Sequence, residues 1–296
     1  MDHRAPPAPT LSEPCFDLYG SVESDSPLIL SVPHAGREYS DDLLAEARVK
    51  PQTLRRLEDR LADLLIDPLL ERGYTAIVAK APRAMIDLNR HEREIDPTMI
   101  ADLPHAAPLQ SSAKLRGGLG LFPRRLPGAP ELWQRPMPWN EARRRIELFH
   151  RPYHAMLGRL MANARRAHGH AVLIDLHSMP PLPLALGKGA FSVVLGDRFG
   201  RSASHRMIAL AAEVAASHSL SVGQNHPYAG DHIIERHGRP DRALHAIQLE
   251  IDRALYLDPA LDQPDVGLAR TQMLVRDIAE ALAVELPRAG YALAAE

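Results

Sequence analysis

Val172-Leu173-Ile174-Asp175-Leu176-His177-Ser178 decides how the rest of the chain reads. The apolar run Ala171–Ile174 follows Gly169-His170 and is too short and too β-rich for a helix of its own, so it predicts a buried strand. The stretch then stops on polar residues and on Pro180-Pro181. In an open α/β sheet ligands gather outside the carboxyl ends of strands, so Asp175, His177 and Ser178 stand where chemistry is expected. Side chains alternate along a strand, which puts Asp175 and His177 on one face and Leu176 on the other. A histidine delivered to a strand end beside a carboxylate is a candidate metal ligand. The plain alternative is a histidine hydrogen-bonded in a polar loop, and what separates the two is whether other strands end the same way.

Others do. Pro27–Val32 reads as a strand that runs into Pro33-His34-Ala35-Gly36, a turn with a histidine inside it. Leu244–Ile251 alternates, with Ala246, Gln248 and Glu250 sharing a face. A glutamate inside so apolar a strand costs several kcal/mol as an unpaired buried charge, so Glu250 requires a metal, a cation or a proton. Tyr74–Ala79 and Phe191–Gly196 are further strands, and Ala84–Arg90 reads as a strand or strand end carrying polar groups. Arg90 there offers a rigid fork of donors that fits a carboxylate; the alternative is a surface ion pair with Glu92 or Glu94.

Between the strands lie helical patterns. Leu54, Leu57, Leu61, Leu64, Leu65 and Leu69 make an apolar stripe that predicts one helix from Thr53 to Arg72, capped by Thr53 and stopped by Gly73. On it Glu58 and Asp63 read as a solvated acidic face. Glu141–His168 is a second helix, broken or kinked near Pro152, on which His154 reads as a packed or surface histidine. Residues 202–217 and 268–285 are the remaining helices. Residues 225–239 form a polar loop dense in donors, including Arg236 and Arg239. Residues 91–139 are long and irregular, which suits a functional lid or insertion; no Lys-Ser/Thr pair follows Gly117-Gly118-Leu119-Gly120, so it is not a phosphate loop. Residues 1–25 read as an extended lead-in, and residues 26–296 as one α/β domain without a dividing linker.

Composition narrows the classes. The 296 residues are 45% hydrophobic with a formal net charge of −2, which gives a globular chain and no electrostatic case for nucleic acid or membrane binding. The one cysteine, Cys15, excludes an intrachain disulfide and a thiolate zinc site. The N-terminus lacks the apolar core of a signal peptide and no apolar run reaches membrane-spanning length, so the expectation is a soluble cytoplasmic protein.

Two neutral imidazoles plus one carboxylate, with an open fourth position, is the standard ligand set of a catalytic zinc. His34 and His177 supply the imidazoles, and an acid on the first helix is placed to reach them. A separate carboxylate must then take the proton of the attacking water and pass it to the leaving amine, and Glu250 has that type and place. Asp175 suits the carboxylate that orients a ligating histidine through its far nitrogen. A serine hydrolase using Ser178 is the competing reading, but no Gly-x-Ser-x-Gly elbow occurs, and a His-Glu-x-x-His helix is absent too.

The blocks Ser31-Val32-Pro33-His34-Ala35-Gly36, Ile86-Asp87-Leu88-Asn89-Arg90, Arg151-Pro152-Tyr153-His154, Ile174–Ser178 and His245–Glu250 resemble, in order, the N-formylglutamate amidohydrolase family. Leu115–Pro123 also resembles a loop of the branch that degrades histidine. The resemblance implies a zinc-carboxypeptidase-like fold, a single three-layer α/β/α domain around a mixed central sheet. It implies His34, His177 and Asp59 as zinc ligands, with Glu58 and Glu38 as rivals to Asp59, and Glu250 as general base. It implies Asn89 and Arg90 as a pair on the substrate's carboxylate and carbonyl, with Arg90 or Asn89 also stabilising the oxyanion. Arg236 and Arg239 match the family's pattern near the substrate's acidic side chain, and Ser178 adjoins the ligating histidine. Ala229-Gly230-Asp231-His232 departs from the family, which commonly has two consecutive glycines after an aromatic residue there, and Asp231 places a negative charge where an acidic substrate is expected.

The expected activity is therefore zinc-dependent hydrolysis of the formyl amide of N-formyl-L-glutamate, a small-molecule substrate. The alternatives are a related deacylase or carboxypeptidase on another N-acyl acidic amino acid, and a non-catalytic metal-dependent binding protein.

Overall fold

The structure is a computed structural model that describes residues 15–23, 25–126, 128–183 and 190–289. Its strands are β1 (Phe16–Tyr19), β2 (Leu28–Val32), β3 (Thr75–Ala79), β4 (Ala171–Met179), β5 (Val193–Gly196), β6 (Val222–Gln224) and β7 (Leu244–Asp252). They form one mixed sheet in the order β1-β3-β2-β4-β7-β5-β6. The centre is parallel: β2 runs with β3 and β4, and β4 with β7. β1 joins β3 antiparallel, and β5 joins β7 antiparallel. β1 lies inside the stretch read as an extended lead-in, and residues 1–14 of that stretch lie outside the described residues.

All nine residues of β4 are buried. A strand covered on both faces needs apolar residues at odd and even positions alike, and this one splits them between two cores. Leu173 joins Ile29, Ile77 and Ala246 on one face, under Tyr153, Leu157, Leu160 and Ala164 of the helix Arg151–His168. Val172, Ile174 and Leu176 join Leu30 and Leu249 on the other, under Met207, Ile208, Ala211 and Ala215 of the helix His205–Ser217 and Leu274, Val275 and Ile278 of the helix Leu268–Ala289. The architecture is thus α/β, a mixed sheet between helical layers. Among the described residues no helix is long and apolar enough to cross a membrane.

Three local readings are corrected. The stripe Leu54–Leu69 is not one helix: it divides into a helix Pro51–Arg55, a turn, a 3-10 segment Ala62–Ile66 and a helical turn Asp67–Leu70. Glu58 is not solvated; it is buried, accepting from the Tyr39 hydroxyl at 2.8 Å and from Arg60 at 3.2 Å. Ala84–Arg90 is a series of turns rather than a strand. The break expected near Pro152 is a π-helical turn, Ile146–His150, between the helices Trp139–Arg145 and Arg151–His168. Pro152 has no N–H to donate, and the wider turn, closed by the Arg151 N–H on the Ile146 carbonyl, carries the helix past it. Residues 91–139 are folded against the core, with Leu121, Phe122, Leu132 and Trp133 buried in it.

Candidate metal centre

The parallel register fixes half of the site. β4 and β7 pair Asp175 with Gln248 and His177 with Glu250, so four polar side chains stand side by side on one face at the carboxyl ends of the central strands. β2, the neighbour on the other side, ends just before His34. Asp59 arrives from the turn after Pro51–Arg55, where its N–H donates to the His34 carbonyl at 3.0 Å. That bond ties the two loops together and draws the Asp59 carboxylate over the strand ends.

Three ligand-type atoms converge there. His177 Nδ1 lies 3.1 Å from His34 Nδ1 and 2.9 Å from Asp59 Oδ2, and His34 Nδ1 lies 3.3 Å from the same oxygen. His34, Asp59 and His177 are all almost fully buried. The far nitrogens are held by carboxylates: His34 Nε2 meets Asp87 Oδ1 at 2.7 Å, and His177 Nε2 meets Asp175 Oδ2 at 2.8 Å. A carboxylate only accepts, so each Nε2 carries its hydrogen and each neutral ring turns the Nδ1 lone pair inward. Three lone pairs facing one another at this range repel unless a cation or a proton sits among them. Zinc bonds of about 2.0–2.1 Å set tetrahedral ligand atoms about 3.3 Å apart, close to this triangle. The donor set, two imidazoles and a carboxylate, fits a divalent metal.

The electrostatics agree. Burial alone would favour a neutral Asp59, but with protons on the inward ring nitrogens in place of an ion, hydrogen bonds from His177 and His34 hold its carboxyl well below the usual range. Burial would also lower His177, yet Asp175 and Asp59 overturn that and push it well above an ordinary histidine. Both shifts express one demand for positive charge at the centre. Burial also costs the Asp87 carboxylate, but Arg83, His34 and Arg90 keep it ionised. Glu250 goes the other way: burial raises it, and the Asp59 charge adds to the rise against the pull of His177.

A cavity of about 870 Å³ opens onto the centre, lined by His34, Asp59, Asn89, His177, Ser178, Gln248 and Glu250. Asn89 is brought in, but as a positioning group. Its Nδ2 lies 3.1 Å from His177 Nε2 and donates to Gln248 Oε1 at 3.3 Å, while its Oδ1 accepts from the Ile233 N–H at 2.8 Å. Ser178 lines the wall with its Oγ accepting from Arg253 Nε at 3.0 Å.

Three expected substrate contacts are not brought to this cavity. Arg90 is not among the residues that line it. Its fork is buried against Asp231 at 3.0 Å and the Leu119 carbonyl at 3.0 Å. A buried guanidinium needs its charge met, and Asp231 meets it. Arg236 and Arg239 are exposed and border a separate hollow with His237 and Gly158; Arg239 Nη1 donates to the Glu235 carbonyl at 2.6 Å. The rivals of Asp59 are engaged elsewhere, Glu58 by Tyr39 and Arg60, and Glu38 by Lys80 at 3.4 Å.

The cations that do line the cavity include Arg56, Arg83, Lys114 and Arg253, none of them anticipated. Arg253 closes the site from beyond β7, reaching Asp59 Oδ1 at 3.2 Å and the Glu58 carbonyl. Gln248 was legible as sharing the Glu250 face; its Nε2 donates to Glu250 Oε1 at 2.7 Å. Asp87 was the unread partner of His34, and its signal was a carboxylate two residues before Asn89.

The family model for N-formylglutamate amidohydrolase matches residues 26–257. An N-formylglutamate deformylase of Pseudomonas putida is 30% identical over 271 residues, covering 86% of this chain and 92% of the relative. One of Pseudomonas aeruginosa is 29% identical over 267 residues with the same coverage. The crystal structure of N-formylglutamate amidohydrolase from Ralstonia eutropha JMP134 superposes with a TM-score of 0.81 at 31% identity, over 90% of this chain and 95% of that one. A gene product of Agrobacterium tumefaciens, at 18% identity and a TM-score of 0.57 over 91% of this chain and 95% of that one, shares the fold.

Proposed function

The chain belongs to the N-formylglutamate amidohydrolase family, and from that premise we propose that it hydrolyses the formyl amide of N-formyl-L-glutamate, as a cytoplasmic step of histidine degradation. The products are L-glutamate and formate. The observation that carries the reading is the convergence of His34 Nδ1, His177 Nδ1 and Asp59 Oδ2 in the cavity that Glu250 also lines.

Those three residues would hold a zinc ion, which when bound supplies Lewis-acid polarisation of the formyl carbonyl and activation of the attacking water. Asp87 and Asp175 fix the tautomers of the two rings, so the lone pairs stay aimed at one point. Gln248 holds Glu250 Oε1 at 2.7 Å, which leaves Oε2 to accept the water's proton as oxygen adds to the formyl carbon. Glu250 returns that proton to the amide nitrogen as the carbon–nitrogen bond breaks. Arg56, Arg83 and Lys114 supply positive charge for the substrate's two carboxylates. Lys114, Leu119 and Leu126 make residues 91–139 part of the cavity wall.

Asp231 lines the same cavity, and Arg90 at 3.0 Å and Lys114 at 3.8 Å offset the charge with which it would otherwise oppose an acidic substrate. The test joins metal analysis to a formate-release assay before chelation, after chelation and after return of Zn2+, with formyl, acetyl and succinyl glutamate compared by kcat/KM. Formate release that disappears with the metal and returns with it is the expected result. Equal rates across the three acyl groups would remove the formyl assignment, and binding without formate release in the zinc-loaded protein would make it a binding protein.

A further inference from the structure

We propose a second metal site, formed by His150, His154 and His232, that takes a late first-row divalent ion of the zinc class and braces the wall behind the catalytic centre. His150 closes the π-helical turn and His154 follows one turn later on the same face of the helix. His232 opens the short helix His232–His237. One ring nitrogen from each of the three lies within 4.8 Å of the others, and all three residues are more than nine-tenths buried.

The far nitrogens again fix the near ones. His150 Nε2 donates to the Arg90 carbonyl at 2.8 Å, and His154 Nε2 donates to the Leu88 carbonyl at 2.9 Å. Backbone carbonyls only accept, so both rings carry hydrogen on Nε2 and a lone pair on Nδ1. This is the arrangement by which proteins orient ligating histidines. His154 Nδ1 has His237 Nε2 at 3.1 Å, but His150 Nδ1 and both nitrogens of His232 have no partner. Buried polar atoms without partners are costly, and several in one place mark a missing ligand. Burial and the neighbouring Arg236 keep the three rings neutral, the form that binds metal.

The donor set selects the ion. Imidazoles without a carboxylate disfavour magnesium and calcium and suit zinc, nickel or copper. The Arg236 charge opposes any cation, so this site binds more weakly than the one containing Asp59. Its place gives it a role. The residue before His232 is Asp231, which holds Arg90 and whose N–H donates to Gln248 Oε1 at 3.0 Å; the residue after it is Ile233, whose N–H holds Asn89. An ion at the trio ties this segment to the helix Arg151–His168.

The experiment is metal counting on the full chain loaded with Zn2+ and dialysed, for wild type, His34→Ala, His232→Ala and the double variant. We expect two equivalents in the wild type, one in each single variant and none in the double variant. Chelator titration of the wild type removes the equivalent that His232→Ala lacks first. Added Zn2+ raises the melting temperature of His34→Ala but not of the double variant. If His34→Ala retains no metal, the hollow holds water only and the proposal falls; it falls equally if His232→Ala keeps the wild-type count. Should His232→Ala fail to fold, His232→Gln keeps the volume and is scored the same way. The count in His34→Ala is read without turnover, so it stands apart from the assignment of substrate.

Discussion

Asp59 and Glu250 are both buried carboxylates in one cavity, yet their surroundings drive them in opposite directions, as the proposed roles of ligand and base require. Burial opposes ionisation of Asp59, but hydrogen bonds from His177 and His34 and their positive charge keep it ionised, as a ligand must be. Glu250 has Gln248 on one oxygen and burial raising its proton affinity, as a base near its working range requires. Asp59→Ala therefore loses the centre's metal, and formate release with it. Glu250→Gln keeps the metal and lowers kcat by about 10²–10⁴-fold, the usual worth of a general base. Metal content and turnover measured on both variants decide it; metal loss in Glu250→Gln, or turnover in Asp59→Ala at full rate, reverses the assignment. The raised Glu250 also moves the acid limb of kcat/KM above an ordinary glutamate, because only the ionised form accepts a proton. Of these residues, His34, His177 and Glu250 were legible because each interrupts or ends an apolar strand. Arg90 was legible as a polar group but not by its direction, since the counter-charge that turns it away, Asp231, lies far along the chain.

At the scale of elements, what could be read was whatever a single segment decides. β2, β3, β4, β5 and β7 follow from their own apolar runs, and the long helices from theirs. The helix expected over Thr53–Arg72 fails because a tertiary contact outbids its periodicity. The Asp59 N–H bonds the His34 carbonyl rather than a helical partner, and Leu61 turns to φ 57°. Separate chain segments meet there, so a leucine stripe cannot report it. β6, with three residues, carries no pattern of its own. The loop that carries His34 is set by contact as well. A Cβ at Gly36 would come within 2.0 Å of the Ala81 carbonyl oxygen, a backbone atom that cannot swing aside. Gly36→Ala must therefore shift the loop after β2 and the imidazole it holds. The expected outcome is a loss of about 1–3 kcal/mol of stability from overpacking, with weakened metal retention at the same time. Urea unfolding and metal content of this variant check both, and a variant as stable as wild type with full metal would show that the loop yields freely.

Across the described residues, five buried histidines outside the Asp59 centre are packed as neutral rings, and that sets how the fold meets acid. Burial pushes His150 and His245 down to about 4 and His232 and His237 down to about 3, and His154 is held well below its ordinary value as well. In the unfolded chain each titrates near 6.5. Between those values the unfolded state binds more protons than the folded one, so stability rises with pH there and falls as pH drops from about 6.5 toward 4. Asp59 and Asp87, held well below the usual carboxylate range, lose their contribution only further down, as pH falls through their folded values. His177, raised, has the reverse dependence: its contribution is complete below its unfolded value and fades as pH rises through the folded one. The histidines therefore act first on the acid side. Urea midpoints measured from pH 7 to pH 4.5 should fall steeply, beginning near pH 6.5, and His232→Ala should flatten the slope by about one proton. A wild-type midpoint flat down to pH 4.5 would mean that these rings take up protons without unfolding the chain, and that the histidines are not packed as tightly or as neutrally as their burial implies.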